Sequence, residues 1–443
     1  MRDTHDAAER AGGERRDRVT LALVVYAVLL AQTLVYPGVD LLAAALGGRG
    51  VAAPTLFLAA EFAAFVAFAG PWGALSDRLG ERRRLVSVAA VGGAAGYLAL
   101  ASLPAVAPST PDGLTVPVAS AGPLTPSWTF VAALAVRVFQ GAMTVGALSL
   151  SVSALADRPG GNGRNMGVAG IAIGLGTATG APIGGRLFEI GATVPLVAAG
   201  GLLVVAGVGA LATPDRAPAS GPSVGGTEGP AGRDARRGGV SAVLAGLRDD
   251  RSLSVPFAFA FVDRLTAGFF ALVGTLYFRE AFGLDPGATG LLLAAFFAPF
   301  ALLQYPFGLL SDRIGRVAPI AAGSAVYGLV VVAVGFAPTV PLVAAAMVGV
   351  GVLGALMAPA TLALVVDLGG ETDRGAAVAG FNAAGSLGFL AGSLVGGAVA
   401  ARYGFTVAFV VAGASEFLLA LAAFPALVRL GRRSSRTAVF GGD

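Results

Sequence analysis

The chain has no cysteine, no lysine and a single histidine, His5, in a polar N-terminal stretch. Without cysteine there are no disulfides, thiolate metal sites, iron–sulfur clusters or cysteine nucleophiles. Without lysine there is no P-loop to hold nucleotide phosphates and no Schiff base to a carbonyl cofactor. One histidine in a tail excludes a histidine metal cluster or a histidine-based triad within the apolar body. Charge is scarce as well: charged residues are 13% of the chain, about half the share in a soluble protein. This composition leaves no catalytic constellation and calls for no cofactor or metal, so the chain reads as a non-enzyme. The net charge of +4 does not mark a nucleic-acid binder. The arginines sit in short clusters between apolar runs, as membrane topology signals do.

What the chain has instead is apolar length. Hydrophobic residues are 56% and mean hydropathy is +0.79, more apolar surface than a soluble chain of 443 residues can hide. A helix that crosses a bilayer needs about 20 mostly apolar residues. Twelve runs meet that need: 19–46, 51–75, 84–107, 127–155, 166–190, 193–213, 254–282, 286–310, 317–337, 340–366, 375–400 and 405–428. They are called spans one to twelve below. Runs such as 88–103 are unbroken and lack the alternation of barrel strands, so the fold class is an all-α membrane protein. Residues 1–18 and 429–443 read as polar tails. Span one is too long for a signal-peptide core and reads as a retained helix.

Arginine placement orients the spans. With the N-terminus in the cytoplasm, 24 arginines fall on the cytoplasmic side and four (Arg49, Arg186, Arg279, Arg402) on the other, with Arg137 and Arg264 inside spans. Both termini are therefore expected in the cytoplasm, with the chain in the plasma membrane. Residues 214–250, rich in Pro, Gly, Ser and Arg, read as a flexible linker. It separates a six-span bundle, 19–213, from a second, 251–428.

The halves repeat. GALSDRLGER (73–82) recurs as GLLSDRIGRV (308–317), 235 residues later. Asp157 and Arg164 recur as Asp367 and Arg374, and GTATGAPIGG (176–185) as GFLAGSLVGG (388–397), at offsets of 210 and 212. The first half carries the excess in a Pro/Ser/Thr-rich outer loop near 105–126. Carriers built from two parallel six-helix repeats bind substrate between the halves and rock one against the other.

These residues resemble the major facilitator superfamily of secondary transporters over the whole chain. G-x-L-S-D-R-x-G-x-R between spans two and three is similar to the family's signature loop. RVFQGA (137–142) resembles the R-x-x-Q-G element of its proton-coupled members. The Gly/Pro run of span five resembles the element of its drug/proton antiporter branch, with Ala181 intervening before Pro182; the copy in span eleven has Ser393 in place of proline. The resemblance implies a gating latch at Gly73, Asp77, Arg78, Gly80, Arg82 and Arg83, repeated at Gly308, Asp312, Arg313, Gly315 and Arg316. It implies an exchange or helix-packing element at Gly141, Gly176, Gly180, Pro182, Gly184 and Gly185, and at Gly388, Gly392, Gly396 and Gly397. The plain reading of these glycines is close helix packing, and Gly73 and Gly80 are read the same way.

Ionisable groups inside spans cost about 2.5–3.5 kcal/mol each to insert, so they are functional candidates. Glu61 in span two, Arg137 in span four, and Asp263 and Arg264 in span seven are the ion-coupling candidates. Glu61, alone and deep, is expected to carry the proton, with Arg137 as its switchable partner. Asp263 and Arg264 are adjacent and point about 100° apart, so each needs its own partner. Glu416 in span twelve is expected to be structural or lipid-facing, and Asp40 to lie solvated at the outer mouth. Gln32, Tyr36, Phe269, Tyr277, Gln304 and Asn382 are candidates for lining the cavity.

The expected activity is alternating-access transport of a small molecule, with protons and the lipid bilayer as its other partners and a single copy sufficient. Proton-coupled export of a small amphipathic compound fits the motifs. Uptake of a nutrient (sugar, organic acid or amino acid) by symport or facilitated diffusion is the alternative. A non-transporting sensor would not need two latch loops.

Overall fold

The computed structural model describes residues 2–50, 52–106, 116–118, 122–124, 127–158, 162–212 and 240–440. Among these, eleven helices are long and apolar enough to cross a membrane, and a shorter apolar helix, Val194–Ala210, occupies the place of span six. The only strands among the described residues form a small hairpin in the outer loop, pairing Val116–Val118 antiparallel with Gly122–Leu124. The rest of that loop between 107 and 126 lies outside the described residues, as does 213–239 of the linker.

Most spans are single helices: Ala52–Leu79, Arg82–Val106, Trp128–Ala156 and Asn162–Ile190 in the first half. In the second they are Pro286–Ile314, Val317–Phe336, Val340–Leu368, Gly370–Tyr403 and Phe405–Phe440. Prolines inside them, such as Pro71, Pro182 and Pro359, are tolerated because neighbouring helices re-satisfy the freed backbone groups.

Spans one and seven are irregular. Span one is helical over Arg2–Thr33, makes a short 3₁₀ turn at Tyr36–Gly38, and resumes at Val39–Ala45. Pro37 has no N–H to continue the ladder. Span seven runs Ser254–Phe269, widens into a π-bulge at Phe270–Gly274, and continues over Thr275–Phe282. The Thr275 hydroxyl donates to the Ala271 carbonyl at 3.3 Å there. Gly180 packs on the backbone of Leu30 and Gly184 on Leu34, while Gly392 packs on Leu265 and Gly396 on Phe269. Residues 30 and 34 thus correspond to 265 and 269, and both irregularities follow at the same repeat position.

Three features add to the sequence reading. The tail 1–18 is helical and continuous with span one from Arg2. The C-terminal tail continues the helix of span twelve to Phe440. The linker is not coil throughout: Val240–Asp249 is a helix, and its Val243 and Leu247 pack against a cluster built from Leu253, Phe257, Ala260, Val365, Ala377, Phe381 and Ala384.

Within each half, span one packs on five and six, three on four and six, and two on four; seven packs on eleven, nine on ten and twelve, and eight on ten. Spans five and eight, and spans two and eleven, join the halves.

Candidate functional site

Three side chains meet in the interior of the first half. Arg137 donates from Nη2 to Oε2 of Glu61 at 2.6 Å and from Nη1 to Oε1 of Gln140 at 2.8 Å. The Gln140 amide donates to Glu61 Oε1 at 3.3 Å and to the Thr144 hydroxyl at 3.1 Å. Arg137, Gln140 and Glu61 are all 0% exposed. The guanidinium lies 4.5 Å from the Phe57 ring centre and 5.6 Å from that of Tyr97. Tyr36, from the turn in span one, is buried within electrostatic reach of Glu61.

The local sequence builds this cluster. Arg137, Gln140 and Thr144 share one helix face at spacings of three and four. Gly141 lets span four approach span two: a Cβ there would come within 2.8 Å of the Glu61 carbonyl oxygen. Every residue type in R-x-x-Q-G therefore has a contact to account for it. Gln140, Tyr97 and Phe57 were not singled out as partners by sequence; the i, i+3 spacing from Arg137 was the available signal for Gln140.

The second half holds a different cluster. The carboxyls of Asp263 of span seven and Glu416 of span twelve are neighbours. The Ser324 hydroxyl of span nine donates to Glu416 Oε1. Glu416 is 0% exposed, so it does not face lipid as its place in the last span suggested; it points inward, toward spans seven and nine. Arg264 is within electrostatic reach of Asp263 but forms no ion pair with it among the described residues. It is exposed and runs along Gly385 of span eleven, where a Cβ would lie 3.0 Å from its Cγ.

The signature loops form the same network in both copies. Arg82 donates to Ser76 Oγ at 3.3 Å, lies 3.9 Å from Asp77 and pairs with Asp157 at the end of span four. Arg316 donates to Ser311 Oγ at 3.2 Å, pairs with Asp312 and lies 3.4 Å from Asp367 at the end of span ten. The partners correspond residue for residue, although the arginine of the second copy sits one position earlier. Arg83 reaches the Leu211 carbonyl at 3.3 Å, while Arg78 and Arg313 are exposed. Gly80 and Gly315 have φ of 68° and 87°, where any side chain is strained. The close-packing expectation for Gly73 and Gly80 is corrected: a Cβ at either meets nothing within 4 Å, and Gly308 has only Pro359 at 3.8 Å.

The glycines of spans five and eleven are packing positions. Gly176, Gly180 and Gly184 lie on the backbone of span one; Gly388 and Gly392 lie on that of span seven and Gly396 on its Phe269. Gly185 and Gly397 reach across to the opposite half, at Pro286 and Thr55. The helix continues through Pro182.

The cavity candidates divide. Asn382 is exposed and Gln304 half-buried. Gln32 and Tyr36 are buried. Phe269 and Tyr277 are corrected: both are buried and stack edge-on against Phe409, each at 4.9 Å between ring centres. On the side called outer from the arginine pattern, Asp40 accepts from Arg279 Nε at 2.8 Å, which ties span one to span seven. Asp40 is thus in an interhalf ion pair, which the sequence did not indicate, while its side chain stays 29% exposed. Deeper, Phe62 of span two and Phe389 of span eleven meet at 4.1 Å between ring centres.

Comparison with known proteins agrees with this architecture. The family model of the Major Facilitator Superfamily matches residues 21–262 and 256–441, once per half. An uncharacterized transporter of that type from Methanocaldococcus jannaschii is 29% identical over 179 residues, 40% of this chain and 45% of that relative; the match spans less than half its length. Among solved structures, a bacterial homolog of the human lysosomal transporter Spinster, inward-facing and unoccupied, superposes with a TM-score of 0.73 at 15% identity, covering 95% of this chain and 98% of that one. The human organic anion transporter MFSD10 gives 0.63 at 21% identity, with 94% and 99% covered. The nucleoside transporter NupG gives 0.67 at 13%, again with 94% and 99% covered. This chain, a multi-pass membrane protein of two repeated halves, belongs to the Major Facilitator Superfamily of secondary transporters.

Proposed function

We propose that this carrier exports a small amphipathic compound from the cytoplasm in exchange for protons, across the plasma membrane and with both termini inside. One observation carries the reading: Glu61 is wholly buried and bound by Arg137 and Gln140. A proton arriving at Glu61 cancels the charge that holds Arg137. Proton and guanidinium then compete for one carboxylate, and the outcome changes how span two is tied to span four. Each charge moved is worth about 2.3 kcal/mol per 100 mV, enough for tenfold accumulation. The signature loops serve as latches at the cytoplasmic ends, and one copy is a complete carrier. Arg264 and Asn382 are polar points on otherwise apolar spans, which suits an amphipathic cargo.

Uptake of an anionic nutrient is the competing reading, favoured by the exposed Arg264 guanidinium. The test uses inside-out vesicles energised with a proton gradient and two fluorescent amphipathic probes, one cationic and one anionic. Wild type should accumulate one of them, an uncoupler should abolish accumulation, and Glu61→Gln should lose it while still binding the probe. Proton-driven accumulation by Glu61→Gln vesicles would refute the role of Glu61. Accumulation only in right-side-out vesicles would reverse the direction.

A further inference from the structure

The proposed function leaves two acids inside the spans of the second half unused, Glu416 buried and Asp263 half-buried. Asp263 and Glu416 come from spans seven and twelve, their carboxyls are neighbours, and neither has a cation as hydrogen-bond partner. Ser324 occupies Glu416 Oε1 as a donor. The other oxygen, Glu416 Oε2, and Oδ1 of Asp263 are buried atoms with no partner among the described residues.

Two neighbouring carboxyls, each with a buried oxygen that lacks a donor, are physically incomplete. Glu416 is fully buried and Asp263 half-buried; two carboxylates this close repel, and a buried acceptor without a donor costs about 1–3 kcal/mol. One added proton removes both problems: one carboxyl donates its O–H to an oxygen of the other, and the pair carries a single negative charge. Shared protons of this kind are how paired carboxyls coexist at close range.

The surroundings are consistent with a singly charged pair. Arg264 follows Asp263 in sequence, but its guanidinium lies along Gly385, exposed, and makes no ion pair among the described residues. From span nine, Ser324 and the phenol of Tyr327 face the carboxyls. Of the other helices packed here, span ten carries Asp367, at its end beside Arg316, and span eleven carries Arg402 and Tyr403 at the opposite end among its described side chains. Arg264 is near enough for its charge to act on Asp263, but no cation among the described side chains hydrogen-bonds to Glu416, the deeper of the two acids.

We propose that Asp263 and Glu416 hold one proton between them, a second proton-binding site in the second half, separate from Glu61. Its use in transport rests on the proton-coupled reading above; its occupancy does not. The contact joins the bundle-lining span seven to spans nine and twelve just on the cytoplasmic side of the π-bulge, so loss of the proton loosens span seven where its backbone is already irregular.

Infrared difference spectroscopy on the full chain in liposomes tests this, since a protonated carboxyl has a C=O stretch distinct from a carboxylate. At neutral pH wild type should show one such band from a buried group. Glu416→Gln should abolish it. Asp263→Asn and Ser324→Ala should each shift it, because each removes a hydrogen-bond partner of the shared proton, and these two variants carry the test if Glu416→Gln does not fold. Glu61→Gln should leave it in place. No buried band in wild type, or a band unmoved in Asp263→Asn, would overturn the shared proton. A band lost in Glu61→Gln would assign it to the first half. Transport failing to follow protons while the band behaves as stated would refute the coupling and leave the site standing.

Discussion

The two halves share a backbone plan and differ in buried charge. Gly141 presses on the carbonyl of Glu61, and Gly351 presses on that of Phe296 in the same way. These positions correspond through the offsets of 210 and 235 that relate the halves. Through the same offsets, Arg137 and Gln140 become Met347 and Val350, both fully buried. One close approach of two helices thus encloses an ion pair in the first half and a hydrocarbon contact in the second. The second half puts its own acids elsewhere, between spans seven, nine and twelve, while spans one and six have no acidic residue before Asp40 and none over 193–213. The ionic cluster is therefore not a requirement of the fold. Phe296, Met347 and Val350 hold the equivalent junction without charge, which points to a functional reason for Glu61, Arg137 and Gln140.

The largest expected effect comes from breaking the ion pair on one side. Arg137→Met leaves Glu61 buried without its cation, a cost of about 3–5 kcal/mol. The thermal unfolding midpoint in detergent should fall by several degrees or the protein should fail to accumulate in membranes. Converting the first junction into the second, with Glu61→Phe, Arg137→Met and Gln140→Val together, should restore most of that stability. Well-packed apolar replacements of buried ion pairs are often neutral or better. The same triple variant should lose proton-driven accumulation. A triple variant as unstable as Arg137→Met would show that the halves are not interchangeable at this point.

A smaller effect sharpens the same comparison. Gly141→Ala and Gly351→Ala each force a Cβ against a backbone carbonyl, and each should cost about 1–3 kcal/mol. Gly73→Ala has open space and should be neutral or stabilising by up to about 1 kcal/mol, since alanine is the better helix former. Unfolding midpoints of the three variants check the order. Equal behaviour at positions 73 and 141 would remove the case for close approach.

Depth and repetition were legible in the sequence; direction around a helix axis was not. Hydrophobic length located the spans, and the repeated GxLSDRxG loop located the halves. Mid-span position marked Glu61 and Arg137, and only tertiary packing brought them to 2.6 Å. The sequence left Glu416 between a structural and a lipid-facing place because a residue's span says nothing of the side it faces, and here that side holds Ser324 and Asp263. Phe269 and Tyr277 were misread for the same reason: aromatic character is shared by lining and core residues, and Phe409 draws both inward. The π-bulge left no mark in composition, because Phe270–Gly274 is as apolar as its neighbours. The break in span one did leave one, in Tyr36–Pro37–Gly38.

The smallest expected effect concerns the outer contact between the halves. Asp40 and Arg279 pair at 2.8 Å, with side chains 29% and 14% exposed. Water reaches both, so the pair contributes no more than about 1 kcal/mol. That energy acts only while the outer side is closed, because opening separates span one from span seven. Asp40→Asn should therefore shift the balance toward outward opening by up to about fivefold with little change in unfolding midpoint. The absence of native cysteine makes this measurable without background, using spin labels on Ala45→Cys and Ala281→Cys, exposed positions at the outer ends of spans one and seven. The longer of the two distance populations should grow in Asp40→Asn, and less so in high salt, where wild type has already lost part of the attraction. An unchanged distribution would mean that Phe62 and Phe389, together with the glycine contacts of spans five and eight, hold the outer side closed without help from charge.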